Sequence, residues 1–189
     1  IVEDTIAPTF VGTLPPSSLI VECDAIPTPE VLTAIDNCGS ASVLFFQTII
    51  PGDCAGSYTI DRLWKATDGC KNFIIHKQII TVIDTTDPVF VGTLPANATV
   101  QCDAVPAPAV LTATDNCGDA TVAYTQTRTD GNCISNYTLT RVWTATDACG
   151  NDVSHTQVIT VVDTTDPVIT GVGADYSVEC PTAVVFSMP

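Results

Sequence analysis

Nine cysteines, two histidines and 21 carboxylates are the groups in this 189-residue chain with chemistry to offer, and the cysteines set the pattern. Cys23, Cys38, Cys54 and Cys70 recur at Cys102, Cys117, Cys133 and Cys149 with one offset, 102 minus 23 being 79. The same offset carries Trp64 to Trp143 and Asp84 to Asp163. Zinc ligands come as close pairs such as C-x-x-C, whereas successive cysteines here stand about 15 residues apart. Four cysteines per small unit therefore point to disulfides and an oxidising, extracellular compartment. The ninth, Cys180, matches Cys23 and Cys102 as the first cysteine of a third copy, and its partner is expected in sequence that the chain does not contain.

These landmarks sit on an internal repeat, which divides the chain into units at 1–83 and 84–162 and the incomplete start of a third at 163–189. A unit of this length is large enough for its own core. Each begins with a Pro-containing linker, runs through a short strand ending at Cys23 or Cys102, and makes a Pro-rich crossing at 26–32 or 105–111. Two long β-prone runs follow, in the second copy Ala120 to Arg128 and Asn136 to Thr146, joined at an Asp130-Gly131 turn, and then a last strand from His155 to Val162. Alternation puts Tyr137, Leu139, Arg141, Trp143 and Ala145 on one face, which we assign to the core, with Arg141 set over Trp143 or paired with a carboxylate. No stretch sustains a helical period. The fold class is all-β, tandem immunoglobulin-like β-sandwich repeats of about 79 residues.

Four cysteines allow three pairings, and strand direction selects among them. The chain leaves Cys117 along one strand, turns near Gly131 and returns to Cys149, so Cys117 and Cys149 share one end and Cys133 lies at the other. A Cys133–Cys149 bond would have to span about 50 Å of extended strand, against about 7 Å between bridged Cα atoms. The crossing carries Cys102 to the Cys133 end. Expected bonds are Cys102–Cys133 and Cys117–Cys149, with Cys23–Cys54 and Cys38–Cys70 as equivalents.

The carboxylates admit two readings. Asp84 and Asp87, with Asp163 and Asp166, offer hard oxygens for calcium beside the linkers. Otherwise they, like the turn residues Asp36, Asp68, Asp115 and Asp147, are Asx turns and solvated charges. His76 and His155 stand alone without a nucleophile, a structural pattern, so no enzyme is expected. With only six Lys and Arg and a net charge of -15, nucleic acid and anionic membrane surfaces are disfavoured as partners. No apolar run spans a bilayer.

The motifs Ala113-Thr114-Asp115-Asn116-Cys117-Gly118, Trp143 to Asn151 and Val161 to Pro167 resemble the HYR-like, immunoglobulin-fold repeats of giant Bacteroidetes surface adhesins, the SprB-type gliding-motility adhesins among them. The resemblance implies a long polypeptide exported by the type IX system, whose repeats form a cell-surface stalk or filament. It also implies partners: neighbouring repeats, copies of the chain in a filament, or, in the alternative function, surface polysaccharide. The pair that links first and last strands in many such domains is replaced here by Val91 and His155. Bacteroidetes O-glycosylation resembles a rule of Asp, Ser or Thr, then an apolar residue or Thr, which points to Thr5, Thr85 and Thr164 at the linkers. Asn97 and Asn136 open N-glycosylation sequons.

Overall fold

The computed structural model describes residues 3–170 and contains no helix among them. Twelve strands fall into two sets of six that repeat one another. The first set is β1 (Thr9–Val11), β2 (Ser18–Glu22), β3 (Thr33–Ile35), β4 (Ser42–Pro51), β5 (Tyr58–Thr67) and β6 (Phe73–Ile83). The second is β7 (Val89–Val91), β8 (Ala98–Gln101), β9 (Thr112–Thr114), β10 (Thr121–Asp130), β11 (Tyr137–Thr146) and β12 (Asp152–Val162). In each set a four-stranded sheet, β2-β6-β5-β4 or β8-β12-β11-β10, accompanies a two-stranded one, β1-β3 or β7-β9. All pairings are antiparallel except β2 with β6 and β8 with β12. A hairpin cannot join parallel strands; the crossing and both long strands intervene.

The expected alternation holds. Leu139, Arg141, Trp143 and Ala145 of β11 are buried while the threonines between them are not, and β5 repeats the pattern. The Pro-rich crossing lies over this inner face, because Trp64 Nε1 donates to the Glu30 carbonyl at 2.9 Å and Trp143 Nε1 to that of Ala109 at 3.0 Å. The arginine does something the sequence did not reveal. Arg141 neither stacks on Trp143 nor meets a carboxylate; it donates to Gln126 Oε1 (2.9 Å), Gln157 Oε1 (3.4 Å) and the Pro106 carbonyl (2.6 Å). Arg62 does the same with Gln47, Gln78 and Pro27, and desolvation lowers its pKa. Buried donors must be satisfied; here neutral oxygens do so, and a charged side chain ties the crossing to the sheet.

Strand boundaries differ from the sequence reading by one to three residues. The last strand begins at Asp152, and Asp130 stays in β10, so the turn is not a two-residue Asp-Gly hairpin. Instead Gly131 N donates to Asn136 O at 2.8 Å across a loop that carries Cys133. The apolar cores are small, centred on Ile60, Ile80 and Val82 in one unit and on Leu139, Ile159 and Val161 in the other.

Candidate functional site: the junction between units

Each unit has two chemically distinct ends. β2 and β6 finish side by side, Glu22 opposite Ile83, so Cys23 and the β4–β5 loop bearing Cys54 share the trailing end. Cys38, ahead of β4, and Cys70, in the β5–β6 turn, share the leading end, where Ser42 pairs with Thr67 and Thr67 with Phe73. The second unit repeats this with Cys102 and Cys133 trailing and Cys117 and Cys149 leading.

The expected bonds within units are not formed. Cys23 is bonded to Cys117 and Cys54 to Cys149, with Cα separations of 5.7 and 5.1 Å. Cys38, Cys70, Cys102 and Cys133 are exposed free thiols, and Cys180 lies outside the described residues. The assignment of cysteines to ends was sound, but the assumption that a bond stays inside its unit was not. With units head to tail, the trailing pair of one abuts the leading pair of the next, and the bonds run between these two pairs.

Hydrogen bonds clamp the linker from both sides. From the first unit, Glu22 accepts from Thr85 N (3.2 Å) and Thr85 Oγ1 (2.6 Å). From the second, Asn151 Nδ2 donates to the Asp84 carbonyl at 3.2 Å. Asn151 is itself fixed by Asp147, whose carboxylate also accepts the amides of Cys149, Gly150 and Asn151 at 2.6–2.9 Å. Burial works against the Asp147 charge, but these hydrogen bonds outweigh it and lower the pKa. Asp84 shifts the other way. Desolvation, then repulsion from Asp115, Asp147 and Glu22, raises its pKa against one opposing bond from Thr86 N.

Close approach makes one glycine necessary. A Cβ on Gly56 would stand 2.7 Å from Asp84 Cβ and 2.9 Å from Cys117 Cβ, so the loop of one unit seats against the other only because that carbon is missing. A second backbone feature lies in the turn beside the cysteines. Gly150 has φ +91°, and its counterpart is Lys71 at +76°, a left-handed conformation costly for a side-chain-bearing residue.

The carboxylates offered for calcium fall beside two successive linkers. Asp84 lies at the junction, Asp87 is exposed beside it, and Asp163 and Asp166 are exposed one unit away. The structure instead brings Asp84 together with Asp115 at the Cys117 bridge, and Asp115 Oδ1 is buried without a partner. Two carboxylates with an unpaired oxygen suit a hard cation, but Asp147 already spends its oxygens on hydrogen bonds. The remaining ligands of a six- to eight-oxygen shell would have to come from water or main chain. Asx turns do occur, with Cys38 N and Cys117 N donating to Asp36 and Asp115 at 2.8 and 2.7 Å.

Of the other residues singled out, Thr5, Thr85 and Thr164 are exposed, and Thr164 Oγ1 bonds Gln101 as Thr85 bonds Glu22. His76 and His155 bond the carbonyls of Pro15 and Pro95 and pack on Trp64 and Trp143. Asn97 and Asn136 accept from Val158 N and Asp163 N.

Residues 90–161 match the family model described as an HYR-like domain with 4 cysteines. The match falls on the second unit and takes in all four of its cysteines, so the junction joins the matched unit to a near copy upstream. No curated protein matches the chain. Among solved structures, human mucin-like protocadherin EC1-2 is similar at 14% identity over 78% of this chain and 96% of that one, with a TM-score of 0.32. Mouse cadherin-23 EC22-24 is similar at 12% identity over 82% and 67%, TM-score 0.33. Drosophila N-cadherin EC1-4 is similar at 15% over 82%, the chain spanning half its length, TM-score 0.30.

Proposed function

We propose that the chain is a force-transmitting segment of an extracellular adhesive stalk, with units bounded at 83/84 and 162/163 and joined as a stiff rod. The observation that carries this reading is the junction itself, where two disulfides connect successive units and the linker is held from both sides. Two covalent bridges beside a peptide linker remove the hinge that a single connection leaves. The four-cysteine HYR-like match and the cysteine content support an oxidising, extracellular setting. No helix among the described residues is long and apolar enough to cross a membrane.

A catalytic role draws no support from the histidines, each of which bonds a proline carbonyl through Nε2. Polysaccharide binding draws none from the tryptophans, each 1% exposed and unable to offer a stacking face. The finer reading, a giant SprB-type adhesin exported by the type IX system, rests on the linker and cysteine motifs; immunolocalisation in the source cell tests it. The general proposal is tested by small-angle scattering of the oxidised and reduced chain. The oxidised form should scatter as an elongated rigid particle, and reduction should broaden the distribution of inter-unit distances. A broad distribution in the oxidised form would overturn it.

A further inference from the structure

We infer that the four free thiols are halves of further junctions: Cys38 and Cys70 bond the trailing cysteines of a preceding unit of this kind, and Cys102 and Cys133 bond the leading cysteines of a following one. The junction that is present defines the rule. A first-position cysteine bonds the second-position cysteine of the next unit, and a third-position cysteine bonds its fourth, at sequence separations of 94 and 95. Under that rule a two-unit stretch leaves unpaired the leading pair of the first and the trailing pair of the second. Those are the four cysteines found free.

Apart from the loop tip, where Ile134 and Ser135 stand for Ala55 and Gly56, the ends that carry them are built like the ends already joined. At the leading end of the first unit, Asp36 holds the Cys38 amide as Asp115 holds that of Cys117. Asn72, fixed by Asp68, grips the Asp4 carbonyl as Asn151 grips that of Asp84. At the trailing end of the second unit, Gln101 holds Thr164 as Glu22 holds Thr85, and Asn136 Oδ1 accepts from Asp163 N. Both linkers are thus fixed in the manner that aligns the central bridges. Beside Cys133, Ile134 is 88% exposed. Its counterpart at the occupied junction, Ala55, stays exposed, and a Cβ placed on Gly118 of the next unit would stand 4.0 Å from it, so the two loop tips differ at this position.

Leading and trailing faces are different surfaces, so the contact is heterologous and propagates without closing on itself. The consequence is a ladder in which every unit is cross-linked twice to each neighbour. Each bridge forms when two thiols lose two protons and two electrons to a disulfide oxidant; with oxidised glutathione, one molecule becomes two of reduced glutathione. The inference goes beyond the stalk reading, which would stand with these thiols free.

The test joins residues 1–162, with Cys38 and Cys70 changed to serine, to residues 4–189, with Cys102, Cys133 and Cys180 changed to serine, placing the leading pair of the second copy directly after Cys102 and Cys133 of the first. The fusion is oxidised with glutathione, purified as a monomer, digested without reduction and mapped by mass spectrometry. The expected result is Cys102 linked to Cys38 and Cys133 linked to Cys70, alongside Cys23–Cys117 and Cys54–Cys149. A further Cys102→Ser/Cys133→Ser change in the first copy should lose only the new links and keep the central ones, which controls for folding. Recovery of Cys102–Cys133 or Cys38–Cys70 peptides, or of all four as free thiols with the central bridges intact, would overturn the inference and leave the stalk reading in place. Loss of the central bridges as well would sink both.

Discussion

The crosswise bridges fix how far the chain stretches, and that length separates the observed pairing from pairing within units. Consider a background in which Cys38, Cys70, Cys102, Cys133 and Cys180 are serine, pulled from its termini until fully unfolded. Between Cys23 and Cys149 force then follows either of two covalent routes, Cys23 to Cys54 and across, or across to Cys117 and on to Cys149. Each route contains about 30 residues. Relative to the reduced chain, about 95 residues are withheld from extension, roughly 330 Å of contour at about 3.5 Å per residue. Because the routes are nearly equal, Cys54→Ser alone should change this by only a residue or so, the remaining bridge closing 94 residues by itself. Bonds within units predict otherwise: about 60 residues withheld, roughly 210 Å, falling to about 110 Å when Cys54 is lost. Single-molecule force spectroscopy of oxidised and reduced samples resolves these lengths. A step near 210 Å, or one that halves in the Cys54→Ser variant, would refute the crosswise assignment.

Other expectations follow from the same junction. Gly56→Ala should wedge the units apart and lower stability by about 1–3 kcal/mol, the usual cost of overpacking, whereas Gly39→Ala, with nothing within 4 Å, should not; chemical denaturation compares them. Lys71→Gly should raise the melting temperature by relieving a left-handed φ of 76°, and Gly150→Lys should lower it. For pH, the Asp147 pKa is lowered in the fold, so its stabilisation is complete above the ordinary carboxylate value of about 3.9 and is lost as pH falls through the lowered one. Asp147→Ala should therefore destabilise the chain at neutral pH and flatten its acid limb in melting curves. Asp84 has the opposite sign. Its ionised form is disfavoured in the fold, so Asp84→Asn should stabilise at neutral pH, with the advantage fading as pH falls through the raised value. If calcium sits between Asp84 and Asp115, it should raise the melting temperature of the wild type and not of Asp84→Asn. Intact-mass analysis of native material decides whether Thr5, Thr85 and Thr164 carry sugar; at Thr85 a glycan would displace the hydroxyl bond to Glu22.

How far the sequence could be read depended on whether the deciding contact was local. Alternation in β11 named Leu139, Arg141, Trp143 and Ala145 as inward-facing because pleat geometry needs no knowledge of what lies opposite. The long strands and their common ends were legible for the same reason, and with them the division of each set of cysteines into two pairs. The buried Arg141 was misread because its partners are Gln126 and Gln157, on the two strands flanking β11, and a crossing carbonyl, none near it in sequence. The bonds failed at the next level up. A pairing inside a unit and one across a junction use the same four positions and the same period, so a repeated sequence contains no term that distinguishes them. What breaks the tie is the packing of one copy on the next, and it leaves its trace in residues with no cysteine chemistry. Gly56 carries no Cβ where Asp84 and Cys117 press in, and the neighbouring Ala55 is small. In a tandem protein, a small residue beside a cysteine at a unit's end is therefore evidence about the neighbour. The second unit holds Ser135 and Ile134 at these two positions. A junction following it in the manner inferred above would therefore be shaped differently at the loop tip, and enlarging Gly56 should disturb the central junction without affecting that one.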